Sequence, residues 1–397
     1  MFEDTFMPEK SGKKNWNLKE TSRKMFEHIL EKNKDVAELF KKYGLGDPSD
    51  EDNTDVGFIK EMIYVDKYDE KGKPIYRGRG ADKAFLYEII ANERTGIAVH
   101  TFDFLARDCH HLGFRNVFDH FRYMKFARVI PVDGVGQLCV RDKEITNLYN
   151  LYFTKYTLTK YAYRHKVNIA VQLMLAEIMQ KANKHLLFPK SVTTGKRCTI
   201  EECVDNMEAF TELDDNILHL ILHYKIPENT DNEEKRRDMN EAKMLVRKIL
   251  SRNLYYCVCE SQPLDKEKLE SVEEITDKIQ SLGKDFTSSD IIVKKISFDV
   301  GNYKNDPLKS IYVYKKQKPD KPRLLKQQET SRILTLVECS EEFVRIYIRE
   351  RNKDLEKNIY DAFIKWKLYM KEKDQPSSPD ICTNPTTGKY TTQILLL

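Results

Sequence analysis

Apolar side chains recur at three- and four-residue steps over most of the first 252 residues, with polar residues between them. This spacing is typical of amphipathic helices that bury one side. We therefore predict a mainly helical body. The predicted helices span 18–43, the stretch between Gly96 and Gly113, 117–125, 142–187, 200–210, 214–223 and 234–252.

From residue 253 the pattern changes to short runs of β-branched and aromatic residues, which favour strands. Strands are predicted at 253–260, 290–300 and 310–317, and helices at 341–350 and 352–373. An earlier hairpin is predicted where 126–132 and 137–141 flank the turn sequence VDGVG. The fold class is thus mainly α with a smaller α+β C-terminal lobe.

Three domains or segments follow from this division: a helical region over 1–252, a mixed lobe over 253–373, and a disordered tail over 374–397 rich in Pro, Ser and Thr. Residues 1–16 are predicted to be a loose lead-in. The polar, glycine-rich stretch 66–83 is predicted to be a surface loop.

Charge and cysteine content narrow the possible functions. Lys and Arg number 67 against 63 Asp and Glu, a net charge of +4, so any anion site must be local rather than spread over the whole surface. The eight cysteines form no CxxC pair, which argues against a zinc knuckle. With neither a signal-peptide core nor a long apolar run, a soluble, intracellular protein is expected.

The stretch GIAVHTFDFLARDCHHLG is the densest run of chemically able side chains. As a helix, it would bury a stripe formed by Val99, Phe102, Ala106 and Cys109. Asp103 lies four residues before Arg107 and is expected to pair with it.

A second side of the same helix carries His100, Phe104, Asp108 and His111. Imidazole and carboxylate at this spacing can bind zinc. The alternative is that His110 and His111 are partly buried, hydrogen-bonded packing residues.

This helix, with FLYEII before it and FDHFRYMKFARV after it, resembles the SAM-and-HD-domain deoxynucleoside triphosphate triphosphohydrolase family of animals. The resemblance runs from Met1 to about residue 370. It implies an HD-type helical core, a nuclear or cytosolic location, a divalent metal (Fe, Zn, Mg or Mn) and activation by GTP or deoxynucleotides. Family members remove the whole triphosphate from deoxynucleotides such as dGTP.

The resemblance also implies an incomplete active site. The family holds its metal with a His, a His-Asp pair and a distant Asp; the first three ligands, an HGPFSH-type segment and the SAM domain would all precede Met1. The remaining ligand position is His100, so no metal ligand set is intact. Asp108 and Tyr163 match the family. The positions that depart from it are Leu18 for a catalytic His, Thr101 for Lys, Phe104 for Tyr, Lys155 for Arg, Thr159 for His and Arg164 for Gln. We expect a pseudoenzyme; the alternative is an active hydrolase read from an incomplete gene model.

The family's inter-subunit nucleotide sites match better, which implies nucleotide triphosphates as ligands and a homo- or hetero-oligomer with a full-length paralogue. The matching positions are Arg122, Phe126, Arg141, Lys143, Asn147, His165, Lys166, Arg252 and Lys315, whereas Tyr256 stands where Lys is expected.

The stretch 149–166 interleaves Tyr with Lys and Arg. This pattern has two further interpretations: a surface that binds single-stranded nucleic acid, or lysines lying over an aromatic core.

Overall fold

The computed structural model of the chain describes residues 2–7, 16–47, 50, 53–65, 67–70, 74–92, 94–190, 195–226, 232–264, 269–299, 307–326, 329 and 340–374. The fold is mainly α with a smaller α+β part, as predicted. The predicted tail lies outside the described residues, apart from Asp374 at the end of the last helix. Among the residues described, no helix is long and apolar enough to cross a bilayer.

Helices make up most of the first 252 residues. They are α1 (Leu18–Lys32), α2 (Lys34–Lys42), α3 (Thr54–Ile63), α4 (Phe85–Ile90), α5 (Val99–Leu112), α6 (His120–Phe126), α7 (Ile145–Leu158), α8 (Lys166–Ala182), α9 (Met207–Thr211), α10 (Ile217–His223) and α11 (Glu233–Leu250). Two more follow, α12 (Val272–Leu282) and α13 (Lys353–Asp374).

The strands are β1 (Ala127–Val132), β2 (Val135–Arg141), β3 (Phe188–Pro189), β4 (Arg197–Cys198), β5 (Tyr256–Glu260), β6 (Ile292–Asp299), β7 (Tyr312–Lys315), β8 (Lys318–Leu324) and β9 (Ser340–Ile348). One sheet has the order β1-β2-β7-β8 and another the order β5-β9-β6, while β3 and β4 pair alone.

The predicted hairpin is present, with β1 antiparallel to β2 from Ala127↔Val140 to Val132↔Val135. Its turn residues Asp133 and Gly134 both have positive φ, the requirement of a tight two-residue turn. On its other side β2 pairs in parallel with β7, so a strand from the C-terminal region completes a sheet begun in the helical body.

Apolar residues collect into three main clusters. One surrounds α8 and α11, a second lies between α5 and α7, and the third joins α12 and α13 to the β5-β9-β6 sheet. The first cluster also includes Phe298 and Tyr347. The helical and mixed regions therefore share a core.

The prediction of a loose lead-in is wrong for residues 2–7. Phe2–Phe6 form one π-helical turn, and Phe6 and Met7 are fully buried in the cluster around α8. A short segment with two large apolar residues can be ordered by burial alone, which local sequence does not reveal.

The predicted helix over 341–350 is also wrong, because these residues form most of β9. β9 lies in the middle of its sheet, and every residue from Phe343 to Ile348 is buried. Pairing on both edges with β5 and β6 satisfies its backbone, and this long-range pairing overrides a local charge pattern that favours a helix.

Several predicted helices are shorter or interrupted. The helix over 18–43 breaks at Asn33, and the region 142–187 divides into α7, a π-helical turn at Thr159–Tyr163, and α8. Of the helix predicted over 200–210, only the end is α-helical, as α9. The helix predicted to begin at residue 117 begins at His120.

Candidate functional site

Helix α5 forms between the two glycines as predicted and ends where Gly113 adopts a left-handed conformation, φ 74°. Phe102, Leu105 and Cys109 are buried against α7. The predicted stripe is wrong at Val99, which is 43 % exposed, since the buried side is rotated towards Leu105.

The opposite side of α5 carries Asp108, whose carboxylate accepts a hydrogen bond from the hydroxyl of Tyr163. Arg107 Nε donates to the same carboxylate at 3.1 Å, and Arg107 also pairs with Asp103 as predicted. The Tyr163 hydrogen bond lowers the pKa of Asp108, while burial and the Asp108 hydrogen bond raise the pKa of Tyr163. Asp108 is therefore an ionised acceptor already occupied by two donors.

His100 lies exposed at the start of α5. Its Nδ1 is 3.2 Å from the carbonyl oxygen of Ile90, and its Nε2 is 3.4 Å from the hydroxyl of Thr101. Thr101 is buried, and its hydroxyl donates to the carbonyl oxygen of Gly96. Both side chains are thus engaged locally.

Three of the other predicted positions, Leu18, Phe104 and Thr159, supply no further acid or base, whereas Lys155 and Arg164 are half-buried cations. Phe104 is half-buried and packs against the α5–α7 cluster. The hydroxyl of Thr159 donates to the backbone carbonyl of Lys155 at 2.8 Å. Leu18 is 49 % exposed at the start of α1.

The metal ion that the family resemblance implies does not fit the side chains present. Within the described part of the chain, no three His, Cys, Asp or Glu residues lie close enough together to hold an ion. His100 offers one imidazole at most. The proposed alternative role of His110 and His111 as partly buried packing residues is also wrong, because both are exposed.

A second cluster lies where α6, β2 and the start of α7 meet. Arg122 pairs with Glu144 at 2.8 Å, and Glu144 is completely buried. The Asn147 amide donates to Glu144 at 3.3 Å and to the carbonyl oxygen of Asp119 at 2.8 Å. Asp119 in turn caps α6 by accepting from Arg122 N.

Two guanidinium groups lie over the ring of Phe126, that of Arg122 at 5.2 Å from the ring centroid and that of Arg141 at 5.4 Å. The Nε of Arg141 is buried and has no hydrogen-bond acceptor among the described residues. We call Arg122, Phe126 and Arg141 the arginine–phenylalanine cluster.

The adjoining strand brings another predicted residue close. Arg141 is the register partner of Tyr314, whose hydroxyl donates to the backbone oxygen of Phe126, and the exposed Lys315 follows it. Lys143 is exposed two residues after the end of β2. The structure thus gathers most of the predicted regulatory positions near the C-terminal ends of the two central strands, β2 and β7.

The remaining predicted positions lie elsewhere. His165 and Lys166 are exposed at the start of α8, where His165 Nδ1 accepts from Val167 N. Arg252 is exposed after α11, with positive φ. At the departing position, the Tyr256 ring lies 4.0 Å below the guanidinium of Arg351.

Sequence reasoning missed Glu144 and Asp119, the two acids that organise the arginine–phenylalanine cluster. Glu144 follows Arg141 and Lys143 in the sequence RDKE, which gives only a weak signal of a buried carboxylate. The interleaved tyrosines over 149–166 are partly core: Tyr149 and Tyr152 are buried, whereas Tyr161 is 58 % exposed.

The fold is that of a mainly helical protein with a cationic, aromatic cluster beside a mixed sheet.

No protein-family model matches the chain. Curated proteins do match it. The bovine deoxynucleoside triphosphate triphosphohydrolase SAMHD1 is 35 % identical over 382 residues, 93 % of this chain and 61 % of the relative. The human SAMHD1 is 32 % identical over 379 residues, 92 % and 57 %.

A Dictyostelium discoideum protein named as a SAMHD1 homolog is 30 % identical over 302 residues, 76 % of this chain and 51 % of the relative. The chain belongs to the SAMHD1-like family of HD-domain deoxynucleoside triphosphate triphosphohydrolases. It spans about three fifths of the length of the mammalian relatives.

Proposed function

We propose that this chain binds nucleoside triphosphates without hydrolysing them, and that binding joins it to a second copy or to a longer relative. The substrate class comes from the relatives, which are named for deoxynucleoside triphosphates. The residues around α5 support the loss of hydrolysis, and the arginine–phenylalanine cluster supports nucleotide binding.

The loss of hydrolysis is supported by the chemistry around α5. Stabilising the charge that develops on a reacting phosphate requires cations or metal-bound groups fixed nearby, and removing one such donor commonly costs about 100-fold or more in rate. Here Thr101 and Thr159 are uncharged and donate to backbone carbonyls. Phe104 has no hydroxyl.

Nucleotide binding is supported by the arginine–phenylalanine cluster, and above all by Arg141. A buried donor without an acceptor is costly, so the Nε of Arg141 is available to a water molecule or to an anionic ligand. Phosphate oxygens suit a guanidinium because its planar donors match them in a fork. Lys315 adds an exposed cation on the adjoining strand.

The cluster is also prearranged. Glu144 pairs with Arg122 and accepts a hydrogen bond from Asn147. Both guanidinium groups lie over the phenyl ring of Phe126. Prearranged side chains lose less conformational freedom when a ligand binds. An exposed anion site of this kind can be closed by another subunit that contributes further contacts.

The experiment is titration of the full chain with dGTP and Mg²⁺ by calorimetry, with molecular mass followed by light scattering. Arg141→Gln removes the unpaired donor, and we expect at least about tenfold weaker binding and loss of any nucleotide-dependent assembly. Arg115→Gln is the matched control, because Arg115 is exposed outside the cluster, and it should bind as the unaltered chain does. Equal binding by all three proteins, or none by the unaltered chain, would refute the proposal.

A further inference from the structure

The short helix α10 carries two histidines on its exposed side. Its inner side is formed by Ile217 and Ile221, which are buried in the cluster around α8. His219 and His223 point the other way and are exposed. Residues four apart on a helix lie one above the other, so both imidazoles occupy the same patch of surface.

The two rings lie close together. Their centroids are 4.3 Å apart and their planes are inclined by 44°. Neither histidine forms a hydrogen bond or ion pair with another described residue. Two exposed imidazoles therefore lie within a small area, and no protein donor or acceptor competes for their nitrogens in the described part of the chain.

We propose that His219 and His223 bind one divalent transition-metal ion as a two-imidazole chelate. Neutral imidazole is a good ligand for Ni²⁺, Cu²⁺ and Zn²⁺, and an ion between the rings can take one nitrogen from each. Once the first imidazole has bound, the second is held at high effective concentration by the helix. No third His, Cys, Asp or Glu joins them in a metal-binding group among the described residues, so water fills the remaining positions.

This site is separate from the region around α5 and from the arginine–phenylalanine cluster, and it does not depend on the proposed nucleotide binding. The helix that carries it is firmly placed, because its inner side is core and Lys243 donates to the carbonyl oxygen of Tyr224 directly after it. A rigid helix keeps both imidazoles in register for one ion.

The test uses the full chain, free of any histidine tag and stripped with a chelator, titrated with Ni²⁺ by calorimetry. We expect His219→Ala and His223→Ala each to weaken Ni²⁺ binding at this site by at least about tenfold, since each leaves a single imidazole. His110→Ala is the matched control: His110 is also exposed and has a histidine beside it, but at adjacent rather than four-residue spacing. His110→Ala should leave Ni²⁺ binding at His219 and His223 unchanged.

Circular dichroism of each variant shows whether the helix content is kept, and His219→Gln and His223→Gln repeat the test with a polar side chain of similar size. Ni²⁺ binding that is the same in the unaltered chain and in all four variants would overturn the proposal. A loss in His110→Ala as large as that in His219→Ala would overturn it as well.

Discussion

The hydroxyl of Tyr163 donates a hydrogen bond to the carboxylate of Asp108, and this contact joins the π-helical turn after α7 to the outer side of α5. The bond lowers the pKa of Asp108, and Arg107 supports the same charge from its other side at 3.1 Å. The pair is thus a fixed polar bridge between two helices.

Replacing Tyr163 with Phe should therefore destabilise the fold. We expect a loss of about 1 kcal/mol at neutral pH, the usual value of one hydrogen bond, because Asp108 is partly exposed and water replaces the lost donor. Urea denaturation of Tyr163→Phe beside the unaltered chain measures the difference.

The pH dependence of that difference has a definite sign. The folded-state pKa of Asp108 is lowered, so its contribution is present above the unfolded-state pKa and is lost as pH falls through the folded-state pKa. The difference in free energy of unfolding between the unaltered chain and Tyr163→Phe should therefore narrow below about pH 4. A gap that is as wide in acid as at neutral pH would contradict this assignment.

Arg122→Ala should lower the stability of the fold by more than the half-exposed position of Arg122 suggests. It leaves the carboxylate of Glu144 fully buried without its cation, and we expect a loss of about 2 kcal/mol, moderated by the Asn147 hydrogen bond. The double variant Arg122→Ala, Glu144→Gln removes the buried charge and should regain part of the loss. Chemical denaturation of both variants decides this, and a double variant less stable than Arg122→Ala would count against a charged Glu144.

Gly78 is predicted to tolerate no side chain. A Cβ at this position would lie 2.4 Å from the backbone of Phe58, although its φ is not positive. Glu61 holds the loop against α3 by accepting from the backbone N–H groups of Arg77 and Gly78. Gly78→Ala should cost about 2–3 kcal/mol, because either the loop or the helix must move.

Gly80→Ala is the control for this position. The nearest atom to its Cβ is the end of the flexible Asp82 side chain at 3.0 Å, so the change should cost about 0.5 kcal/mol or less. Thermal melting of the two variants measures the contrast. Equal melting temperatures would show that the loop does not pack against α3 as described.

The elements that local sequence specifies well are those with their own start and stop signals. Helix α5 is bounded by Gly96 and Gly113, both with positive φ. The β1–β2 hairpin turns at Asp133 and Gly134, which also have positive φ. These residues favour left-handed backbone or tight turns whatever surrounds them, which is why their prediction is confirmed.

The elements that were predicted wrongly depend on distant residues. The strand β9 is specified by β5 and β6 on its two edges, and Phe6 is ordered by the core around α8. The organisation of the arginine–phenylalanine cluster follows the same rule. Glu144 becomes important only because α6 brings Arg122 to it across 22 residues of sequence.

The central claim is that this chain binds nucleoside triphosphates but does not hydrolyse them, and triphosphate release tests it most directly. The full chain is incubated with dGTP and Mg²⁺, Mn²⁺ or Fe²⁺, with the human relative as the positive control. Our account predicts that dGTP is bound, with an affinity that Arg141→Gln lowers, and that no triphosphate is released above the level of a protein-free blank. Repeated turnover of dGTP by the full chain would contradict it.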